Sequence, residues 1–226
     1  MSAKKTIFIV EDHPLFRVML AKLIDNEANM TVCGEADNVS DALSSIKRIK
    51  PDAAIVDLTL IGSCGLELIK SLRAHQIQIP ALVLSMHDEN LYAERVLRTG
   101  AQGYISKLAS PVEVIKALNR VLAGQIYVSE FINSQILSRL GNDNKDNKDN
   151  KDKSLSKISM LSDREIEVFQ LIGCGLNSRE CGVSLKLGTS TVESYRARIK
   201  DKLGLKSAAE LYQRSAQWLV QNQLQS

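Results

Sequence analysis

Residues 6–25 read TIFIVEDHPLFRVMLAKLID. A short apolar run, Thr6 to Val10, stops at two carboxylates, Glu11 and Asp12. Pro14 then opens a stretch in which Leu15, Val18, Met19 and Leu23 recur at helical spacing and form an apolar stripe. Proline suits the first turn of a helix, where the N–H it lacks would have no partner. A strand that ends in charge and passes at once into a helix is a βα unit, and the pattern repeats. Thr31 to Gly34, Ala53 to Val56, Ala81 to Leu84 and Gly103 to Ile105 read as further strands, with amphipathic stretches between them and with Pro51 and Gly100 punctuating two helix ends. Five βα repeats with short loops demand right-handed crossovers and a parallel sheet covered by helices on both faces. Any site then lies at the carboxyl ends of the strands.

The whole chain has 226 residues, room for two modest domains. Hydrophobic residues at 44% and charged residues at 24% are ordinary globular values, which excludes a disordered, collagenous or coiled-coil chain. No apolar run approaches the roughly 18 residues of a membrane span, and the run ending at Val10 is too short for a secretion signal, so a cytoplasmic protein is expected. Cys33, Cys64, Cys174 and Cys181 form no Cys-x-x-Cys pair, which favours neither a disulfide framework nor a zinc site.

The clearest break is Gly141 to Lys157, with three successive Asn-Lys-Asp triplets at residues 144–152 and almost no side chain able to enter a core; it reads as a solvated tether. The expected division is 1–125, a linker at 126–158, and 159–226. Beyond the tether, Ser162 with Glu165 is a capping box that opens a helix. Asn177 with Glu180 opens a second, a third follows Gly188, and Ser207 caps a fourth carrying Leu211, Ala216, Trp218 and Leu219. The fold class is thus a doubly wound five-stranded parallel α/β domain followed by a small all-α domain.

At the strand ends the residue types converge. Strand one ends in Glu11 and Asp12, strand three in Asp57, strand four in Ser85 and strand five in Lys107. Three carboxylates in one cleft repel each other unless an ammonium and a divalent cation neutralise them. Lys107 supplies the first, and hard oxygen ligands with room for water and phosphate suit Mg²⁺. A phosphoryl-transfer site follows.

This set of residues over about 5–125 resembles the receiver domain of a two-component response regulator. The resemblance implies that Asp57 accepts a phosphoryl group from a histidine kinase, a phosphotransfer protein or a small phosphodonor. It further implies that Glu11, Asp12, Asp57 and the Thr59 carbonyl hold the metal, that Lys107 pairs with phosphoryl oxygens, and that Ser85 hydrogen-bonds the acyl phosphate while Tyr104 turns inward as the aromatic switch. Gly65 falls where the family has glycine; Ile61 and Leu108 stand where it usually has proline. Enzymatic activity is expected to extend no further than Mg²⁺-dependent self-phosphorylation and autodephosphorylation.

Residues 1–140 hold 15 basic and 15 acidic groups, whereas Ser190 to Lys206 holds five cations against Glu193 and Asp201. At 100° per residue, Val192, Ile199 and Leu203 share one face of the third C-terminal helix. Ser190, Ser194, Ala197 and Asp201 lie opposite, with Glu193 and Arg198 on the flanks, a face suited to a DNA major groove. The segment 160–211 is similar to the LuxR-type helix-turn-helix of NarL-like response regulators, through Arg164, Glu165, Val168, Asn177, Glu180, Thr191, Val192, Lys202, Leu203 and Gly204. It departs at Glu193, where lysine is common, at Tyr195, where histidine is frequent, and at Cys181 with Gly182 in place of Ile-Ala. The expected DNA-contacting residues are Ser190, Thr191, Glu193, Ser194, Tyr195, Arg198, Lys202 and Lys206; Glu193 either reads a base or pairs with Arg196.

The function expected is a transcription regulator in which phosphorylation favours a DNA-binding homodimer, with no membrane partner. Two rivals remain. A phosphatase or flavin-binding doubly wound domain would need a phosphate-cradling glycine loop that the sequence lacks, and a phosphorylation-independent DNA-binding protein with a degenerate receiver is kept open by Ile61 and Leu108.

Overall fold

The computed structural model describes residues 3–60, 63–87, 89–134, 158 and 160–223. They divide into two units, Met1–Asn144 and Lys145–Ser226.

In the first unit β1 (Lys5–Val10), β2 (Met30–Ala36), β3 (Ala53–Asp57), β6 (Ala81–Ser85) and β7 (Gly103–Ser106) form one parallel sheet in the order β2-β1-β3-β6-β7. Between β3 and β6 lies a two-stranded antiparallel pair, β4 (Thr59–Leu60) with β5 (Ser63–Cys64), which the sequence gives no sign of. Every residue of β3 and β6 is buried, as expected of a sheet covered on both faces. The period of two sorts the side chains. Ile7, Ile9 and Ile55 pack with Leu20, Ile24 and Leu118 on one face, while Phe8, Val10, Ala54 and Val56 pack with Ile46, Leu68 and Leu72 on the other.

The first face is covered by α1 (Pro14–Asp25) and α5 (Pro111–Leu122), the second by α2 (Val39–Ile49) and α3 (Gly65–Ala74); α4 (Glu89–Thr99) packs along β7. The start of α1 is set by His13, whose Nδ1 accepts from the Phe16 N–H at 3.3 Å, with Pro14 in the first turn. Its buried face is not the expected one. Leu20 and Ile24, flanked by Phe16 and Leu23, enter the core, whereas Leu15, Val18 and Met19 are exposed. Apolar residues surround most of this helix, so periodicity alone does not choose between two stripes, and the sheet does.

Past residue 125, where the linker is expected to begin, the chain still packs on the sheet. Tyr127 N–H donates to the Gln102 carbonyl and its own carbonyl accepts from Tyr104 N–H, both at 2.9 Å, and its ring is 8% exposed. Ile132 is buried as well, so the first unit continues past residue 125. The Asn-Lys-Asp triplets lie outside the described residues.

The second unit holds α6 (Asp163–Gly173), α7 (Ser178–Leu185), α8 (Thr189–Leu203) and α9 (Ala208–Gln223). The capping boxes Ser162/Glu165 and Asn177/Glu180 are both formed, and Ser207 Oγ caps α9 by accepting from Glu210 N–H at 3.1 Å. Gly204 ends α8 in the left-handed conformation, φ 69°, which glycine adopts without cost. Val192, Ile199 and Leu203 are buried with Ile166, Phe169 and Leu211. Trp218 belongs to this core, its ring 5.5 Å from Phe169.

Candidate functional site

Because β1 sits between β2 and β3, the order in which successive strands are added reverses beside it, and the carboxyl ends of the parallel strands β1, β3, β6 and β7 open onto one cleft. The sheet register places Val56 beside Val10, Asp57 beside Leu84 and Ser85 beside Ser106, so the residues that follow converge. Lys107 Nζ lies 2.7 Å from Glu11 Oε2 and 2.9 Å from Asp57 Oδ2, with its side chain 10% exposed. Ligand atoms of Glu11, Asp12 and Asp57 all lie within 4.8 Å of one another. Glu11 is further fixed by the His13 N–H at 3.0 Å, and Phe16 places its ring 4.7 Å below the Lys107 ammonium.

Burial pushes the Asp57 carboxyl up to about 7, the charge of Glu11 adds to this, and Lys107 and the Thr59 N–H oppose it. One ammonium does not neutralise three carboxylates, two of them in residues less than 5% exposed. An all-oxygen donor set with this excess charge fits a hard divalent cation. The junction after Asp57 is closely built. A Cβ on Gly65 would stand 2.0 Å from the Asp57 carbonyl oxygen and 2.8 Å from Val56 Cγ1, so no larger residue fits without moving the phosphoacceptor candidate. The neighbouring Ile61 lies outside the described residues.

Ser85 is fully buried, and its Oγ accepts from the His87 N–H at 3.0 Å. His87 escaped sequence reasoning, since a lone loop histidine carries no periodic or motif signal. It joins both walls of the cleft: Nε2 is 2.8 Å from Thr59 Oγ1, its carbonyl accepts from the Tyr104 hydroxyl at 2.6 Å, and its ring lies 4.8 Å from that of Tyr92. Tyr104 is therefore turned inward, with no exposed surface.

In the second unit, α8 brings Ser190, Thr191, Ser194, Tyr195 and Arg198 around a depression of about 210 Å³, with the Arg198 guanidinium 5.5 Å from the Tyr195 ring. Three of the named residues lie apart from it. Lys202 Nζ donates to Glu165 Oε2 at 2.6 Å, so the capping-box carboxylate holds a cation expected at phosphates. Lys206 lies beyond the end of α8, with its backbone N–H donating to Glu210. Glu193 accepts from Ser178 Oγ, and its Oε2 lies 3.9 Å from Arg196 Nε. The sequence could place Arg196 beside it by the i,i+3 spacing, but not Ser178 on another helix.

The family profile "Response regulator receiver domain" matches residues 7–119, and "Bacterial regulatory proteins, luxR family" matches 159–215. The chain is 32% identical over 205 residues, 91% of its length and 93% of the relative's, to the Virulence factors putative positive transcription regulator BvgA of Bordetella pertussis. It is 30% identical over 206 residues, 91% and 90% of the two chains, to Response regulator UvrY of Escherichia coli. Among solved structures, a LuxR-family two-component response regulator from Aurantimonas matches with TM-score 0.58 at 28% identity, covering 62% of this chain and all of that one. No helix among the described residues is long and apolar enough to cross a membrane. A strand-end cleft of receiver type, a helix-turn-helix unit and relatives matched along nine-tenths of their length together make this chain a member of the two-component response regulators with LuxR-type DNA-binding output, which regulate transcription.

Proposed function

We propose that Asp57 is the phosphoacceptor that controls DNA binding by this chain. The observation that carries the reading is the meeting of Asp57, Lys107 and Glu11 within 3 Å contacts at the ends of three strands, with Ser85 on a fourth. A carboxylate oxygen of Asp57 attacks the phosphorus of a kinase phosphohistidine, the P–N bond breaks, and the imidazole leaves with a proton. Small phosphodonors enter the same way. Glu11, Asp12, Asp57 and the Thr59 carbonyl would hold Mg²⁺, which when bound offsets the charge of the incoming phosphoryl group. Lys107 leaves its carboxylates to pair with phosphoryl oxygens, and the Ser85 hydroxyl donates to one of them. A group carrying about −1.5 to −2 charge thereby draws a hydroxyl and an ammonium toward itself and biases a two-state surface. Hydrolysis of the acyl phosphate by water resets the site; no other reaction is assigned.

The phosphorylated receiver, 1–125 with its continuation through Tyr127, raises the homodimer population. The 159–226 domains then bring Ser190, Thr191, Ser194, Tyr195 and Arg198 to two half-sites of a cytoplasmic duplex. Mass spectrometry after treatment with acetyl phosphate and Mg²⁺ tests the reading: one acid-labile phosphoryl group is expected on Asp57, and undiminished labelling of Asp57→Asn overturns it. In a second reading, phosphorylation-independent regulation, the buried Tyr104 with its hydroxyl bonded to the His87 carbonyl is a fixed part of the core. Equal operator affinity with and without the donor would select that reading.

A further inference from the structure

We propose that Glu193 is a specificity-determining residue of the recognition helix, accepting a hydrogen bond from the N4 amino group of one cytosine per half-site. This rests on the reading of α8 as the DNA-contacting helix. Glu193 is the fifth residue of α8, within the N-terminal part that meets base edges when such a helix lies in the major groove.

A carboxylate carried against a duplex is repelled by phosphates, and two contacts offset this. Arg196, only 20% exposed at its side chain, places Nε 3.9 Å from Glu193 Oε2. The same guanidinium donates through Nη1 to Ser178 Oγ at 2.8 Å, and Ser178, on the first turn of α7, donates to Glu193 Oε1. The carboxylate is thus held from the other helix of the motif, while its side chain remains 59% exposed. Its rotamer is set before DNA arrives, so little side-chain entropy is lost on contact.

The chemistry selects the base. An ionised carboxylate only accepts hydrogen bonds. Guanine presents N7 and O6, both acceptors, and thymine presents an acceptor and a methyl group. Adenine sets its N7 acceptor beside its N6 donor, where the second carboxylate oxygen would oppose it. Cytosine presents its N4 donor with no acceptor next to it. The departure from lysine at this position therefore exchanges a guanine-seeking donor for a cytosine-seeking acceptor.

The test uses full-length protein treated with acetyl phosphate and Mg²⁺, a randomised duplex library with sequencing, and affinities for the enriched duplexes. Wild type is expected to select one cytosine per half-site, and its replacement by guanine or thymine to weaken binding about five- to twentyfold. In Glu193→Gln, which is isosteric and keeps an oxygen for Ser178, the preference moves to adenine; in Glu193→Lys it moves to guanine. Ser178→Ala leaves the carboxylate but removes its support, and lowers the cytosine discrimination a fewfold. Circular dichroism checks that each variant is folded. Base preferences identical in wild type, Glu193→Gln and Glu193→Lys overturn the inference and leave Glu193 as a tie between helices. Enrichment of no sequence by wild type overturns the DNA reading of α8 and this inference with it.

Discussion

At Asp57 burial makes the bare carboxylate costly. Its carboxyl stands at about 7 rather than the ordinary 3.8, because burial, and then the charge of Glu11, outweigh Lys107. A folded-state value above the unfolded one means a stability contribution fully present below about pH 4 and lost as pH rises from there through 7, about 4 kcal/mol as an upper bound. Stability of the metal-free protein should therefore decline between about pH 4 and pH 7 and level off above that, and Asp57→Asn should flatten that decline. Mg²⁺ favours the ionised form, so its upward shift of the melting temperature should be larger at pH 8 than at pH 6. Thermal denaturation in a pH series, with Mg²⁺ and with chelator, checks both; a Mg²⁺ shift independent of pH would contradict the assignment of Asp57 to the cation.

Helices and loops carry constraints that single residues do not. Gly65, at the start of α3, approaches the Asp57 carbonyl so closely that Gly65→Ala should cost about 2–3 kcal/mol by overpacking and should depress labelling of Asp57 as well. Chemical denaturation beside phosphoryl labelling measures the two effects. In α6, Glu165 accepts from the Ser162 N–H and the Lys202 ammonium, each at 2.6 Å, joining the start of α6 to the end of α8. Burial pushes its carboxyl up, but these bonds outweigh burial and hold it below the ordinary 4.5. Its contribution is complete above that value and falls away under more acid conditions, so Glu165→Gln should lose about 1–2 kcal/mol at pH 7 and less at pH 3. Both capping boxes of α6 and α7 were legible because their signals are local: a side chain and a backbone three residues on. The strand-end residues Glu11, Asp57, Ser85 and Lys107 were legible because a period of two and short loops fix where a strand stops. The buried face of α1 was not, since Leu15 and Leu20 are equally apolar and only the sheet chooses between them. Nor was His87, whose partners Thr59, Ser85 and Tyr104 come from three strands and meet only in the folded chain.

Across the whole molecule, regulation requires that phosphorylation and DNA binding favour a common state, because a modification indifferent to two states shifts neither. In the proposed dimer two recognition helices match two half-sites separated by about 10 base pairs, and such a dimer would bind where a monomer holds weakly. If the acyl phosphate favours the dimer by about 1.4 kcal/mol, operator affinity at fixed protein concentration rises about tenfold. The cations that meet phosphates add a second signature. Each phosphate neutralised contributes a slope of about −0.9 to the logarithm of affinity against the logarithm of salt. Arg198 faces outward with the α8 depression, whereas Lys202 is engaged by Glu165, so Arg198→Ala should flatten the salt slope by about one per subunit and Lys202→Ala should chiefly lower stability. Sedimentation and gel shifts on the full-length protein, with and without acetyl phosphate and across a salt series, measure mass, affinity and slope together. The expected result is a heavier, tighter-binding species with the donor and an unchanged salt slope per dimer. Asp57→Asn should remain at the unphosphorylated mass and affinity under both conditions. Identical mass and affinity for wild type in the two states would separate DNA binding from the receiver and favour the phosphorylation-independent reading, in which the inward Tyr104 is a permanent part of the core.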